Sequence, residues 1–242
     1  MAQALADNAN EALDKADDIH VISRNVSIAS AADMQGRTAY DSGASTYTIS
    51  YTAGAILGDR DTSIDKGVTV IDVDGPVEAG VGVDLGEFAS GIKAVTGFSS
   101  DVQFDVEDSA NDIAQALMND PTDAMNLADS LVVSGGTATV TEAADIQGVV
   151  GYDSGASSYT ITDSADAVLT DANESTILND GVSGVVVTDA TGAGYVDASD
   201  GEALSELEVL LQTATNDSAA DIEFRVEDDA AAIAAVLNGV RD

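Results

Sequence analysis

The chain has no cysteine, no tryptophan and only two prolines, and aromatic residues make up just 4% of its 242 residues. Without cysteine there can be no disulfide, no thiolate metal site and no cysteine nucleophile. The single histidine, His20, aligns with Val132 in a repeat described below, so we interpret it as a tolerated strand position. The common catalytic triads and zinc sites are therefore excluded, and the sequence favours a protein that is not an enzyme.

Basic residues are also scarce, with 8 Lys and Arg against 44 Asp and Glu and a formal net charge of −36. Such a surface repels phosphate, which excludes nucleic-acid binding, and it disfavours docking on anionic lipid. No run of about 18 apolar residues is present, so we expect no membrane insertion. The first ten residues lack the pattern of a signal peptide, which predicts an intracellular chain, a piece of a longer protein, or export without a cleaved leader.

An internal repeat dominates the sequence. Residues 31–49 and 143–161 are identical at 14 of 19 positions at an offset of 112, and the alignment extends back to the chain start without a gap. Phe104–Asp108 then matches Phe224–Asp228 at an offset of 120. We predict one copy over residues 1–112, a second over 113–232, and the start of a further unit at 233–242.

A weaker half-period lies inside each copy. The pattern aromatic-x-(Val/Ile)-x-x-x-Ala begins at four residues, Tyr47, Phe104, Tyr159 and Phe224. In three of them an Asp precedes a small or acidic residue, at Asp108, Asp163 and Asp228, whereas the first has Tyr51 at that position. We expect each copy to consist of two half-units.

The local patterns predict short strands alternating with Ala-rich helices. A strand at 102–106 precedes a helix whose apolar residues share one face: Ala110, Ile113, Ala114 and Leu117, with counterparts Ala230, Ile233, Ala234 and Leu237. Asp120-Pro121 predicts a second helical turn through Met125 and Ala128. Gly135-Gly136 predicts a tight turn between strands at 131–133 and 137–141. Strands are also expected at 67–73 and 182–188.

Apolar residues make up 45% of the chain, mostly small aliphatic ones, which argues against disorder and suits regular stacked layers. A half-unit of this length cannot bury its own apolar face, so neighbours must supply a common core. The predicted fold is therefore α/β, a solenoid-like tandem-repeat stack of short strands and Ala-rich helices. The alternative is two compact α/β domains in series.

Two kinds of polar segment are candidate sites. Residues 40–45 and 152–157 repeat a Tyr-Asp-Ser-Gly sequence that lacks the Gly-x-Ser-x-Gly elbow of serine hydrolases, so we interpret it as a duplicated polar turn. Acids beside glycine are the candidate cation ligands, because calcium prefers several oxygen ligands on a sharp turn. These metal-ligand candidates are Asp72, Asp74, Asp197, Asp200 and Glu202. Calcium is the one cofactor expected.

The segments Phe104-DVEDSANDIAQAL, Asp129-SLVVSGGTATVTEAADI and Tyr159-TITDSADAVL resemble degenerate tandem repeats of very large bacterial secreted and cell-surface proteins, adhesin-like or S-layer-like, which also occur in some marine phage structural proteins. The resemblance implies a structural or adhesive role, outside the cell or on its surface, with calcium nearby. Tyr51 and the lack of a glycine-rich nonapeptide depart from the calcium-associated pattern.

We therefore expect a non-catalytic structural or adhesive repeat module of a large extracellular or cell-surface protein. Its expected partners are neighbouring copies of itself, flanking repeats and surface glycans. One alternative is a virion structural protein, such as a fibre or a capsid-decorating subunit. Another is a calcium-dependent module that binds or acts on carbohydrate.

Overall fold

The computed structural model describes residues 17–58, 67–94, 101–120, 122–170, 174–188, 195–215 and 220–237. The chain divides into two compact units. The N-terminal unit contains residues 1–106 together with 122–129, and the C-terminal unit contains residues 107–121 together with 130–242. The segment 122–129 thus belongs to the N-terminal unit, although the sequence repeat assigns it to the second copy.

The N-terminal unit alternates strands with helices along the chain. Its elements are β1 (Ile22–Val26), α1 (Ile28–Gln35), β2 (Thr46–Tyr51), α2 (Ala53–Gly58), β3 (Val68–Val73), α3 (Ala79–Ala94) and β4 (Asp101–Gln103), with a 3-10 helix at Ala124–Leu127. The four strands form a sheet in the order β1-β2-β3-β4, and each neighbouring pair is parallel. Parallel pairing requires a crossover between strands, which the helices provide.

Strand β5 (Asp105–Asp108) contains the division between the units, and the C-terminal unit follows the same plan. Its elements are α4 (Ala110–Met118), β6 (Ser130–Ala138), α5 (Val140–Gln147), β7 (Ser158–Ser164), α6 (Ala165–Val168), α7 (Glu174–Ile177), β8 (Val182–Thr188), β9 (Tyr195–Val196), α8 (Ala198–Ala214), β10 (Asp221–Glu223), β11 (Arg225–Val226) and α9 (Ala230–Leu237). The sheet order is β10-β8-β7-β6-β5, and β9 pairs with β11. The prediction of an α/β fold is confirmed, with parallel pairing in both units.

The elements recur in the order that the sequence repeat requires. Helix α1 and helix α5 are eight residues long and lie 112 positions apart, as do the first residues of β2 and β7. Helices α3 and α8 start 119 positions apart, and α4 and α9 start 120 apart. These four pairs of elements therefore recur at the spacing of the sequence repeat.

The core of each unit consists mainly of aliphatic side chains and includes one buried tyrosine. Alternate residues of a strand face the helices, so Tyr47 and Ile49 are buried in β2 and Tyr159 and Ile161 in β7. Each tyrosine hydroxyl accepts a hydrogen bond from the Nε2 of a glutamine on the preceding crossover helix, Gln35 at 2.6 Å and Gln147 at 2.7 Å. These bonds satisfy the polar ends of otherwise apolar layers.

The prediction of a tight turn at Gly135-Gly136 is wrong. Strand β6 continues through both glycines, which have φ angles of 115° and 84°, and its register with β7 shifts between Ser134 and Thr137. Two consecutive glycines are compatible with a tight turn or with a bulge, and here they form a bulge. A Cβ on Gly136 would lie 2.9 Å from Oδ1 of Asn111, which accepts a hydrogen bond from the Thr137 N–H.

The prediction of a strand at 137–141 is also wrong. The chain ends β6 at Ala138 and begins helix α5 at Val140. Thr139 caps this helix, because its hydroxyl accepts from the Glu142 N–H while Glu142 Oε2 accepts from the Thr139 N–H at 2.8 Å. This reciprocal capping box stabilises a helix start in a segment rich in Thr and Val.

The helix predicted from the spacing of Ala110, Ile113, Ala114 and Leu117 is confirmed. It runs from Ala110 to Met118, with the Ser109 hydroxyl accepting from the Asp112 N–H. The helical turn predicted to start at Pro121 begins later in the chain, as a short 3-10 helix after Asp123. Asp123 has a φ of 54°. Pro121 itself lies outside the described residues.

Candidate functional site

The repeated Tyr-Asp-Ser-Gly sequence forms the same loop in both units. The Oδ1 of Asp41 accepts hydrogen bonds from the N–H groups of Gly43 and Ala44, at 2.8 and 3.3 Å. The Oδ1 of Asp153 accepts from Gly155 and Ala156 at 3.1 and 3.2 Å. The loop is therefore closed by its own aspartate.

The serine that ends each loop bonds to main-chain groups. Ser157 Oγ donates to the Asp153 carbonyl at 2.7 Å and accepts from the Val133 N–H at 3.0 Å. Ser45 does the same with Asp41 and Val21. Both serines are buried, so these hydroxyls fasten the loop to the start of a neighbouring strand. This geometry agrees with a duplicated polar turn.

A glycine packs against each of these loops. A Cβ placed on Gly181 would clash with the hydroxyl of Tyr152 and lie 3.1 Å from the Ser157 Cβ. Gly67 has the matching relation to Tyr40 and Ser45. Tyr152 donates to the Asn179 Oδ1 at 2.9 Å, and burial raises the pKa of its phenol above the ordinary value. The tyrosine thus stays neutral and acts as a structural donor.

The aspartate that ends the aromatic-x-(Val/Ile) pattern connects a strand to a helix. Asp163 Oδ1 accepts from the Ser164 N–H at 2.8 Å, and its Oδ2 accepts from the Val140 N–H at 3.0 Å. Asp228 has the same two bonds, to Asp229 at 2.7 Å and to Ala198 at 3.1 Å. Val140 and Ala198 are the first residues of α5 and α8, so each carboxylate occupies the positive end of a helix.

The first pair of predicted cation ligands lies in the N-terminal unit. Asp72 is in β3 and Asp74 follows it, with Gly75 at a φ of 74°. The Ser50 hydroxyl is within hydrogen-bond distance of both carboxylates, 3.2 Å from Asp72 Oδ2 and 2.9 Å from Asp74 Oδ1. The structure therefore brings this pair together around a serine.

More acids lie close enough to interact with Asp72. The pKa of Asp129 is raised, first by partial burial and then by the charges of Asp101 and Asp105, with a smaller contribution from Asp72. These like charges form an acidic cluster that cations would neutralise.

The other predicted cation ligands lie at the start of α8, in the C-terminal unit. Asp197 caps the helix, with its Oδ1 accepting from the Asp200 N–H and the Ser199 hydroxyl, both at 2.8 Å. These bonds, that of the Asp200 N–H first, lower the pKa of Asp197. Partial burial and the charges of Asp197 and Asp166 raise the pKa of Asp200. Glu202 lines the groove described below.

A different cluster has the geometry of a metal site. Within the described part of the chain, one group of three side chains brings its ligand atoms within 4.8 Å of one another: Asp18, His20 and Asp41. His20 Nε2 lies 2.8 Å from Asp18 Oδ2 and 4.0 Å from Asp41 Oδ2, and all three side chains are exposed. Imidazole with carboxylates suits a transition metal better than calcium. The second copy has Ser130 and Val132 at the first two positions, so the copies do not share this cluster.

An apolar groove runs between α8 and α9 in the C-terminal unit, with a volume of about 520 Å³. Its apolar lining includes Gly201, Val209, Val226, Ile233 and Leu237, and Glu202 and Glu206 also line it. Leu237 is 81% exposed and Val209 62% exposed. We call this feature the C-terminal groove. Sequence reasoning missed it, because its residues look like ordinary core positions.

Comparisons with known proteins give no match: no family model, no curated protein and no solved structure is similar to this chain. Among the described residues, no helix has the length and hydropathy needed to cross a membrane.

Proposed function

We propose that this chain is a non-catalytic structural or adhesive repeat module of a large extracellular or cell-surface protein. The observation that carries the proposal is the role of the polar residues that both copies share. Ser45 and Ser157 bond to main-chain groups, and Asp41 and Asp153 each accept two main-chain N–H groups of their own loop. Residues kept in both copies therefore maintain packing, which is what a repeating scaffold needs.

The surface chemistry supports the same role. A net charge of −36 keeps a protein soluble and attracts divalent cations. The fold proposed for the whole array is a solenoid-like stack, in which each copy buries the exposed apolar face of the next. Its partners would be flanking repeats, further copies of the chain and surface glycans. Calcium remains the proposed cofactor, at the acids around Asp72 and Asp197.

Locating the protein in its source tests the proposal. Antibodies against the purified chain should label the surface of intact source cells or the surrounding medium, and mild protease treatment of intact cells should remove the label. Labelling only after the cells are opened would contradict a surface role. Recovery of the protein from purified virus particles would favour the virion alternative instead.

A further inference from the structure

Helices α3 and α8 occupy matching positions in the two units and approach their strands at matching glycines. A Cβ on Gly82 would lie 2.7 Å from Val106 Cγ2, and a Cβ on Gly201 would lie 2.7 Å from Val226 Cγ2. Phe104 and Phe224 are also close to the two glycines, at 3.8 and 3.4 Å. The two helix faces are therefore equivalent.

In the N-terminal unit, the segment 122–129 covers this face. A Cβ on Gly82 would lie 3.4 Å from the Met125 Sδ, and a Cβ on Gly86 would clash with the backbone of Ala124. Ala124 and Met125 are each only 1% exposed. The helix and the segment fit together closely because both contribute small residues or a flexible methionine.

In the C-terminal unit the equivalent face forms the C-terminal groove. The three atoms nearest to a Cβ on Gly201 belong to Val226, Phe224 and Val196, so among the described residues none takes the place that Met125 has beside Gly82. Val209 and Leu237 are exposed there. A continuous apolar surface of this kind marks an interaction site.

The sequence repeat identifies a segment that fits this groove. At the offset of 112, residues 10–17 (NEALDKAD) align with residues 122–129 (TDAMNLAD). Ala12-Leu13 matches Ala124-Met125, and Leu and Met are similar in volume. We propose that the C-terminal groove binds residues 10–17 of a second copy of this chain, so that copies associate head to tail.

One basic residue of this segment suits the groove. Lys15 stands where the second copy has Leu127, and it is one of eight basic residues in the chain. The groove carries Glu202 and Glu206, whereas α3 has Val83 and Glu87 at the matching positions. Asp14 replaces Asn126 as well, so the net charge of the segment is unchanged at −2, and Lys15 alone offers a basic partner for the additional glutamate, Glu202.

Helix α9 gives a second, independent indication. Its counterpart α4 packs against β6 and α5, and there Ile113 is 0% exposed. In α9 the matching Ile233 is 36% exposed, and no residue of the helix is buried. The counterparts of β6 and α5 are β1 and α1, which follow residues 10–17 directly along the chain. A second copy that docks its N-terminal segment in the groove therefore brings the elements that cover α9.

Such contacts are heterologous and generate open-ended chains of copies. This docking proposal rests on the proposed structural role and makes a second copy of the chain the partner.

Two full-length variants test the docking proposal together. Val209→Glu places a charge in the groove, and Leu13→Asp places one on the segment. Each variant alone should remain a monomer of 24.4 kDa in light scattering, whereas the wild type should form larger species as its concentration rises.

The mixture of the two variants is the decisive sample. One contributes an intact segment and the other an intact groove, so they should form a 1:1 dimer with an affinity about tenfold or more above that of either variant alone. Leu210→Glu is the matched control, because Leu210 is exposed on the same helix but does not line the groove. It should associate like the wild type.

A charge exchange adds a second readout. Lys15→Glu and Glu202→Lys should each weaken association, and the double variant should restore it. A wild type that stays monomeric at every concentration, or a mixture that stays monomeric, would overturn the docking proposal. Surface labelling of source cells would be unaffected by that result, so a failure of the docking and a failure of the proposed function can be told apart.

Discussion

The backbone N–H of Val140 donates a hydrogen bond to Oδ2 of Asp163 over 3.0 Å, although 23 positions separate the two residues. Ala198 and Asp228 repeat this relation at 3.1 Å. In each case a carboxylate at the end of one strand accepts from the first N–H of a helix that precedes it in the chain. The bond holds helix and strand at a fixed spacing and places a negative charge at the positive helix end.

Replacing the carboxylate of Asp163 should destabilise the C-terminal unit. Asp163→Asn removes the charge and one of two acceptors, so we expect the free energy of unfolding to fall by about 1–2 kcal/mol. Urea unfolding followed by circular dichroism measures the change. Asp145→Asn, an exposed position on α5, is the matched control and should change the stability little. Equal effects of the two variants would show that Asp163 has no special role.

The packing of Tyr152 against Gly181 predicts a coupled pair. Gly181→Ala forces a methyl group against the tyrosine hydroxyl and should cost about 1–3 kcal/mol. In a Tyr152→Phe background the hydroxyl is gone, so the same change should cost clearly less. A double-mutant cycle of thermal unfolding measures the difference. Additive effects would contradict the contact.

The carboxyl of Asp200 predicts a pH dependence. Its pKa is raised in the folded state, so folding binds a proton more tightly and stability should increase as the pH falls from 7 through the raised pKa towards 3.8. Asp197 has a lowered pKa, so the stability that its ionised carboxylate contributes is lost only when the pH falls below 3.8.

Asp200→Asn should therefore stabilise the protein at pH 7 by about 0.5 kcal/mol and lose this advantage near pH 3.8. Melting temperatures of the variant and the wild type between pH 7 and pH 3.8 check this expectation. Asp145→Asn controls for the general loss of one negative charge. A pH profile of the Asp200 variant that runs parallel to that of the wild type would refute the assignment.

Calcium should stabilise the chain if the acids around Asp72 and Asp74 bind it. At a calcium concentration ten times the dissociation constant, the expected gain is about 1.4 kcal/mol beyond that of sodium chloride at equal ionic strength. Asp74→Asn should reduce this gain, and Asp145→Asn should leave it. Equal melting temperatures in EDTA and in calcium at matched ionic strength would end the calcium hypothesis.

The sequence predicted those features that depend on local spacing. Two copies could be recognised because 14 of 19 positions agree, and α4 could be placed because its apolar residues recur on one helix face after Ser109. The parallel pairing of the strands could not be predicted, because a short alternating strand does not specify its neighbour. Helix α5 could have been found from the capping box of Thr139 and Glu142.

The bonds that hold the site residues depend on long-range geometry. The half-period pattern includes Asp163 but gives it no partner, and its bond to Val140 requires knowing that α5 begins beside the end of β7. The C-terminal groove could not be read from the sequence either. Ile113 and Ile233 occupy the same position in the same motif, and only the packing around each distinguishes a core residue from an exposed one.

The most direct test of the repeating stack is a chain with three copies, made by joining residues 1–232 to residues 113–242. In a stack, the added copy gains an interface as well as its own core, so the denaturant midpoint should rise above that of the natural chain and unfolding should remain cooperative. A midpoint unchanged from that of the two-copy chain would mean independent domains in series, and would contradict the account.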